Sequence, residues 1–165
     1  MSDIHEGVTL GDGGPSGEPL VERALEHLVD IVNRLIRREM AASAAAASAF
    51  ERLSSNDSAT LAREIEAGHR ERVACLPALA RALSGEPATS SNLRSFFDRA
   101  RRRLRVKRGD PGILHSLAAI EEKLVDEYRD AIATVGFTDN ERGILAVGLA
   151  YAESSVLRLR GVLPH

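Results

Sequence analysis

Residues 28–53 read LVDIVNRLIRREMAASAAAASAFERL. Leu28, Val32, Leu35, Ala42, Ala46, Ala49 and Leu53 recur there at alternating steps of four and three, which is one face of an α-helix at about 100° per residue. Glu39 occupies a step of that seam, within roughly 10° of the centre of the apolar face. A second seam, Leu114, Leu117, Leu124, Tyr128 and Ile132, is interrupted in the same way by Glu121, roughly 40° from its centre. A carboxylate taken out of water costs several kcal/mol unless it is neutralised, hydrogen-bonded or bound to a cation. Two such glutamates on two helices call for one explanation, and a shared metal ion is the first candidate.

The rest of the chain extends this helical pattern. Its 165 residues suit one domain with a sizeable core. Aromatic residues make up only 4% and Trp is absent, so the core is built from Leu, Ile, Val and Ala, which favours helix packing over a sheet sandwich. A net charge of −2 exerts no general pull towards nucleic acid or membrane. The single cysteine, Cys75, excludes an internal disulfide, suits a reducing cytoplasm, and reads as a small buried residue. No apolar run approaches the roughly 18 residues of a membrane span, and no signal peptide is evident.

Residues 1–18 are Gly-rich and aperiodic, the pattern of a disordered tail, leaving 19–165 as the bundle domain. Pro19 opens a first helix over about 20–53. Ser54–Ser58 breaks it and caps a second over about 59–83, with Pro77 inside it as an expected kink. Ser84-Gly85-Glu86-Pro87 ends that helix. A crossover follows, with a short helix over roughly 92–106. Asp110 and Pro111 supply the N-cap and first position of a third helix that Gly136 closes. Thr138-Asp139-Asn140-Glu141 is a capping box for a fourth, reaching about Arg160. The expected fold is all-α: two helical hairpins joined by a long crossover, a four-helix bundle.

Glu66-Ala67-Gly68-His69 adds a Glu-x-x-His pair on the second helix. Carboxylate-bridged di-iron bundles take one Glu from each of two helices and a Glu-x-x-His from each of the others. Glu39 and Glu121 supply the single glutamates, and Glu66 and His69 the first pair. The fourth helix offers Glu153 with no histidine at the matching spacing, so one half of the site is depleted. Such hard oxygen and imidazole donors select iron or manganese, and nothing points to an organic cofactor. The structural alternative is a core histidine at position 69 and glutamates paired with arginines. Glu122, Asp126 and Glu127 read as a solvated face.

The chain resembles the ferritin-like four-helix bundles of a bacterial family of unknown function. The resemblance is carried by residues 35–42, by Leu-Ser-Gly-Glu-Pro at 83–87, by Gly-Asp-Pro-Gly-Ile-Leu at 109–114, and by the runs 121–124 and 126–131. It spans roughly 20–160 and implies a ferritin-like fold with Glu39, Glu66, His69 and Glu121 as ligands.

Two further stretches bear on partners. The basic run 99–108 (RARRRLRVKR) could grip phosphates, but no stacking aromatics interleave it, and it reads as a solvated connector rather than a nucleic-acid site. Ala41–Ala49 has small side chains on every face and allows close helix approach, within the bundle or across a homodimer contact. Two functions follow: a metalloprotein that binds and oxidises ferrous iron or handles peroxide, or a metal-free, non-catalytic bundle working through protein–protein interaction or dimerisation.

Overall fold

The seam that begins at Leu28 folds as a helix throughout its length. In the computed structural model, which describes residues 18–89 and 109–163, α1 spans Glu18–Phe50, α2 Asn56–Ala82, α3 Gly109–Ala133 and α4 Asp139–Val162. Helix α1 thus opens one residue inside the expected tail and stops three short of Leu53. Helix α2 starts earlier than expected because the Ser55 side chain caps it, accepting from the Ser58 N–H. It runs on through Pro77. At its end Ser84, with φ 62°, takes the left-handed turn. The capping box of α4 forms as read: Thr138 accepts from the Glu141 N–H while the Glu141 carboxylate accepts from the Thr138 N–H. Gly136, at φ 116° and against Leu28, makes the turn that separates α3 from α4. The expected short crossover helix and the basic run at 99–108 lie outside the described residues.

Asp110 does more than open a helix. Its carboxylate accepts from the Ser54 and Ser55 N–H groups at 2.8–3.1 Å, tying the α1–α2 turn to the start of α3. Those backbone bonds also hold its carboxyl below the ordinary aspartate range. The tie fixes helix directions. The C-terminal end of α1 meets the N-terminal end of α3, and the turn after α3 returns to Leu28 near the other end of α1. Helices α1 and α4 therefore run one way and α2 and α3 the other. Helix α1 packs against α2 and α3, and α4 against the same two, which leaves α2 and α3 diagonally opposed across the interior.

The core is divided. One apolar cluster gathers Leu28, Val32, Leu35, Leu76, Leu79, Leu124 and Leu145, and a second gathers Ala45, Ala46, Ala49, Leu61, Ile65, Leu114, Leu117 and Leu159. Glu39, His69 and Glu121 lie at the boundary on α1, α2 and α3. Of the inward-facing alanines of 41–49, Ala42 joins the first cluster and Ala45, Ala46 and Ala49 the second, where they allow close helix approach inside the bundle. Among the described residues, no helix is long and apolar enough to cross a membrane.

Candidate functional site: a buried charge layer

Three helices bring four charged side chains and a phenol into the boundary between the two clusters. Glu39 and His69 are fully buried, Glu121 is 1% exposed, Arg72 7%, and Tyr128 fully buried. The heptad-like seams put them there: position 39 of α1, positions 69 and 72 of α2 between Ile65 and Leu76, and positions 121 and 128 of α3 flanking Leu124.

His69 is the hub. Its Nδ1 lies 2.6 Å from Glu39 Oε2 and its Nε2 lies 2.8 Å from Glu121 Oε1, so the imidazole reaches across the diagonal from α2 to α3. Glu39 is saturated. Its Oε1 accepts from Arg72 Nε at 2.6 Å and from the Tyr128 hydroxyl at 2.7 Å. Glu121 is not, because its Oε2 is buried without a hydrogen-bond partner among the described residues.

Protonation follows from this geometry. Burial alone would strip the His69 proton, but the hydrogen bonds to Glu121 and Glu39, with the charges of both carboxylates, outweigh it and push the imidazole up to about 9. Burial likewise opposes ionisation of Glu39, yet the His69 hydrogen bond and the charges of His69 and Arg72 hold its carboxyl below the ordinary range. Burial, reinforced by the Glu39 charge, raises the Tyr128 phenol, so it remains a donor. The layer thus sets Glu39 and Glu121 against the His69 imidazolium and Arg72, formal charges that sum to zero. Arg72 Nη2 also lies 2.8 Å from His69 Nδ1. That contact is a hydrogen bond only when Nδ1 carries no proton; in the doubly protonated ring the two cations share Glu39 side by side.

Of the residues singled out from sequence, Glu39, His69 and Glu121 come together. Glu66 does not join them. It is half-buried and faces a shallow hollow of about 370 Å³ between α1 and α2, beside Met40 and Arg70. Glu153 lies at the surface, paired with Arg129 at 2.7 Å. Glu127, expected on a solvated face, is mostly covered and pairs with Arg38 at 2.8 Å. Cys75, expected to be buried, is exposed. Arg72 and Tyr128 are the members sequence reasoning missed. The signal for Arg72 was its seam position, four before Leu76 and three after His69.

One neighbour makes room for the layer. A Cβ on Gly148 of α4 would fall 2.4 Å from the Tyr128 ring, so a side chain there must push the phenol off Glu39. Gly148→Ala is expected to destabilise the bundle by about 1–3 kcal/mol through overpacking. Thermal unfolding followed by circular dichroism checks this; an unchanged midpoint would mean that Tyr128 is not held as described.

The layer's donors do not meet at one point. Glu39 and Glu121 sit on opposite nitrogens of a single ring, and a cation bound to one carboxylate and the facing nitrogen must first displace a proton shared between them. Among the described residues, no group of three or more His, Cys, Asp or Glu side chains is arranged to hold an ion. No family model matches this chain, and no curated protein matches it in sequence.

Proposed function

We propose that this chain is a ferritin-like bundle in which side-chain cations neutralise the buried glutamates, and that it acts by binding rather than by metal-centred catalysis. The observation that carries this reading is the pairing of two buried carboxylates, Glu39 and Glu121, with two buried cations, His69 and Arg72. Arg72 is held against the carboxylate oxygen that a metal would need. The helix directions support the ferritin-like part: two hairpins whose inner helices run in the same direction require one long crossover, as in that class. An exposed free thiol at Cys75 is in keeping with a reducing compartment.

One observation favours the iron or manganese reading instead. Glu121 Oε2 is a buried acceptor with no donor among the described residues, a place where a cation would find one ready ligand. In that reading Glu39, His69 and Glu121 would shed their mutual hydrogen bonds, and Glu66 and Glu153 would turn inward from the outer faces.

Metal content and ferrous or manganous binding of anaerobically reconstituted protein separate the two, with Glu39→Ala and His69→Ala alongside. We expect substoichiometric metal and a melting temperature indifferent to metal or chelator. A bound ion at about 100 times its Kd would add about 2.7 kcal/mol and raise the midpoint by about 5–10 °C, well within detection. Stoichiometric iron or manganese, lost in both variants, overturns the reading.

A further inference from the structure

Helices α2 and α4 pack less closely than the hairpin partners and leave a groove of about 580 Å³ between them. Its walls are apolar, with Leu76 and Leu79 on α2 facing Ile144, Val147 and Tyr151 on α4. Those three α4 residues are 40%, 57% and 47% exposed, unusual for side chains of that size. Arg72 and Tyr128, two members of the buried layer, also line the groove.

Arg72 has one unused arm. Its Nε and Nη2 edge faces Glu39 and His69, while Nη1 is buried with no hydrogen-bond partner among the described residues. That nitrogen lies beside Gly68, where a Cβ would be 3.3 Å away, and the Tyr151 ring covers the guanidinium at 5.1 Å. A buried donor without an acceptor costs roughly 1–3 kcal/mol, a cost that a ligand supplying the acceptor would relieve. Arg72 and the half-exposed Tyr151 both line the groove, so the guanidinium and the ring that covers it lie at its wall.

We infer that the α2–α4 groove binds a neutral amphiphile, an apolar chain bearing one hydrogen-bond acceptor such as an ester or amide carbonyl, with the carbonyl on Arg72 Nη1 beneath a displaced Tyr151 ring. Size and lining fit such a molecule, since ligand pockets of roughly 300–1,000 Å³ are mostly apolar with a few placed polar groups. Charge selects the neutral form. Arg72 is already matched by Glu39, so a carboxylate would bring an unbalanced charge to a buried site, and Glu71 and Glu141 at the groove would repel it. The inference rests on the metal-independent layer proposed above, because a cation on Glu39 would displace the guanidinium.

The test is a methyl NMR titration of the full chain with methyl decanoate, decanoate and decane, in the presence and absence of chelator. Methyl decanoate should shift the Ile144, Val147 and Leu79 methyls saturably. Decanoate and decane should each bind at least about tenfold more weakly, one for its charge and the other for its missing acceptor. Val147→Glu, a change at an exposed position, should weaken the ester about tenfold without lowering the melting temperature. Arg72→Lys, which keeps the charge on Glu39 and removes Nη1, should erase the preference for ester over alkane. Equal or tighter binding of decanoate overturns the assignment. So does a failure of the ester to bind together with a concentration-dependent dimer that Val147→Glu disperses, which would make a second copy the occupant. Ester binding that vanishes with chelator and returns with iron would overturn the metal-independent layer and, with it, the assignment of Arg72 Nη1 as the carbonyl's donor.

Discussion

Replacing His69 with leucine is expected to destabilise the bundle by about 3–5 kcal/mol, the usual cost of breaking a buried ion pair from one side. The midpoint should fall on the order of 10 °C for a chain of this size. The loss is not chiefly one of contacts, since leucine fills most of the space. It comes from Glu121. That carboxylate is 1% exposed, accepts from His69 on Oε1, and has no partner on Oε2 among the described residues. Without the imidazole it is a buried charge with nothing to answer it.

The converse substitution should be milder. Glu121→Leu leaves His69 beside Glu39, and the imidazole can then release its Nε2 proton while its Nδ1–H goes on donating to Glu39 Oε2, 2.6 Å away. The double variant His69→Leu/Glu121→Leu removes one cation and one anion together and keeps the Glu39–Arg72–Tyr128 set intact. It should recover roughly 2 kcal/mol or more relative to His69→Leu, because residues in one buried network are strongly non-additive. Urea unfolding of the wild type and the three variants measures this cycle. Additive losses would show that Glu121 has other support, and the neutral-layer argument would fail with them.

The same residues show what a sequence can and cannot reveal about such a site. Glu39 and Glu121 were legible because an apolar seam with a charged member is conspicuous, and the angular position of each on its helix said they were buried. His69 was legible as the histidine of a Glu-x-x-His pair or, in the alternative reading, as a core histidine. The Glu-x-x-His spacing was a poorer guide than the angle. Three residues turn a helix through about 300°, which leaves Glu66 some 60° from His69 and carries it to the α1–α2 hollow. Glu153, which had no histidine at the matching spacing, ended at the surface with Arg129. Arg72 escaped notice because arginine in a seam normally snorkels outward; here a carboxylate 33 positions away draws it in. The bond from Tyr128 to Glu39 spans 89 positions, and no local pattern encodes it. Helix order, the α4 capping box and the Gly136 break were readable from local rules. The tie from Asp110 to the α1–α2 turn, which sets the helix directions, depends on a contact across 55 and 56 positions.

Stability should be greatest in mildly acidic solution and fall as the pH rises. His69 is raised from 6.5 to about 9 in the folded protein, so its contribution is fully present below about 6.5 and is lost as the pH passes through about 9. A shift of that size corresponds to about 3 kcal/mol. Glu39 works in the opposite direction. Its folded value lies below 4.5, so its contribution is present above about 4.5 and is lost as the pH falls through the depressed folded value. The two windows overlap between about 4.5 and 6.5, where both groups are charged in the folded layer. Tyr128, raised by burial and the Glu39 charge and donating to Glu39, adds its own loss only above about pH 10, where the unfolded phenol ionises and the folded one does not. Unfolding free energies from urea titrations at about pH 6 and about pH 10 should differ by about 3 kcal/mol in the wild type, and by much less in His69→Leu/Glu121→Leu, which lacks the titrating imidazole. A wild-type stability that is flat or rises across that interval would mean that His69 is neutral in the folded state. The layer would then carry a net negative charge, and a bound cation would become the better account of why two glutamates lie in the core.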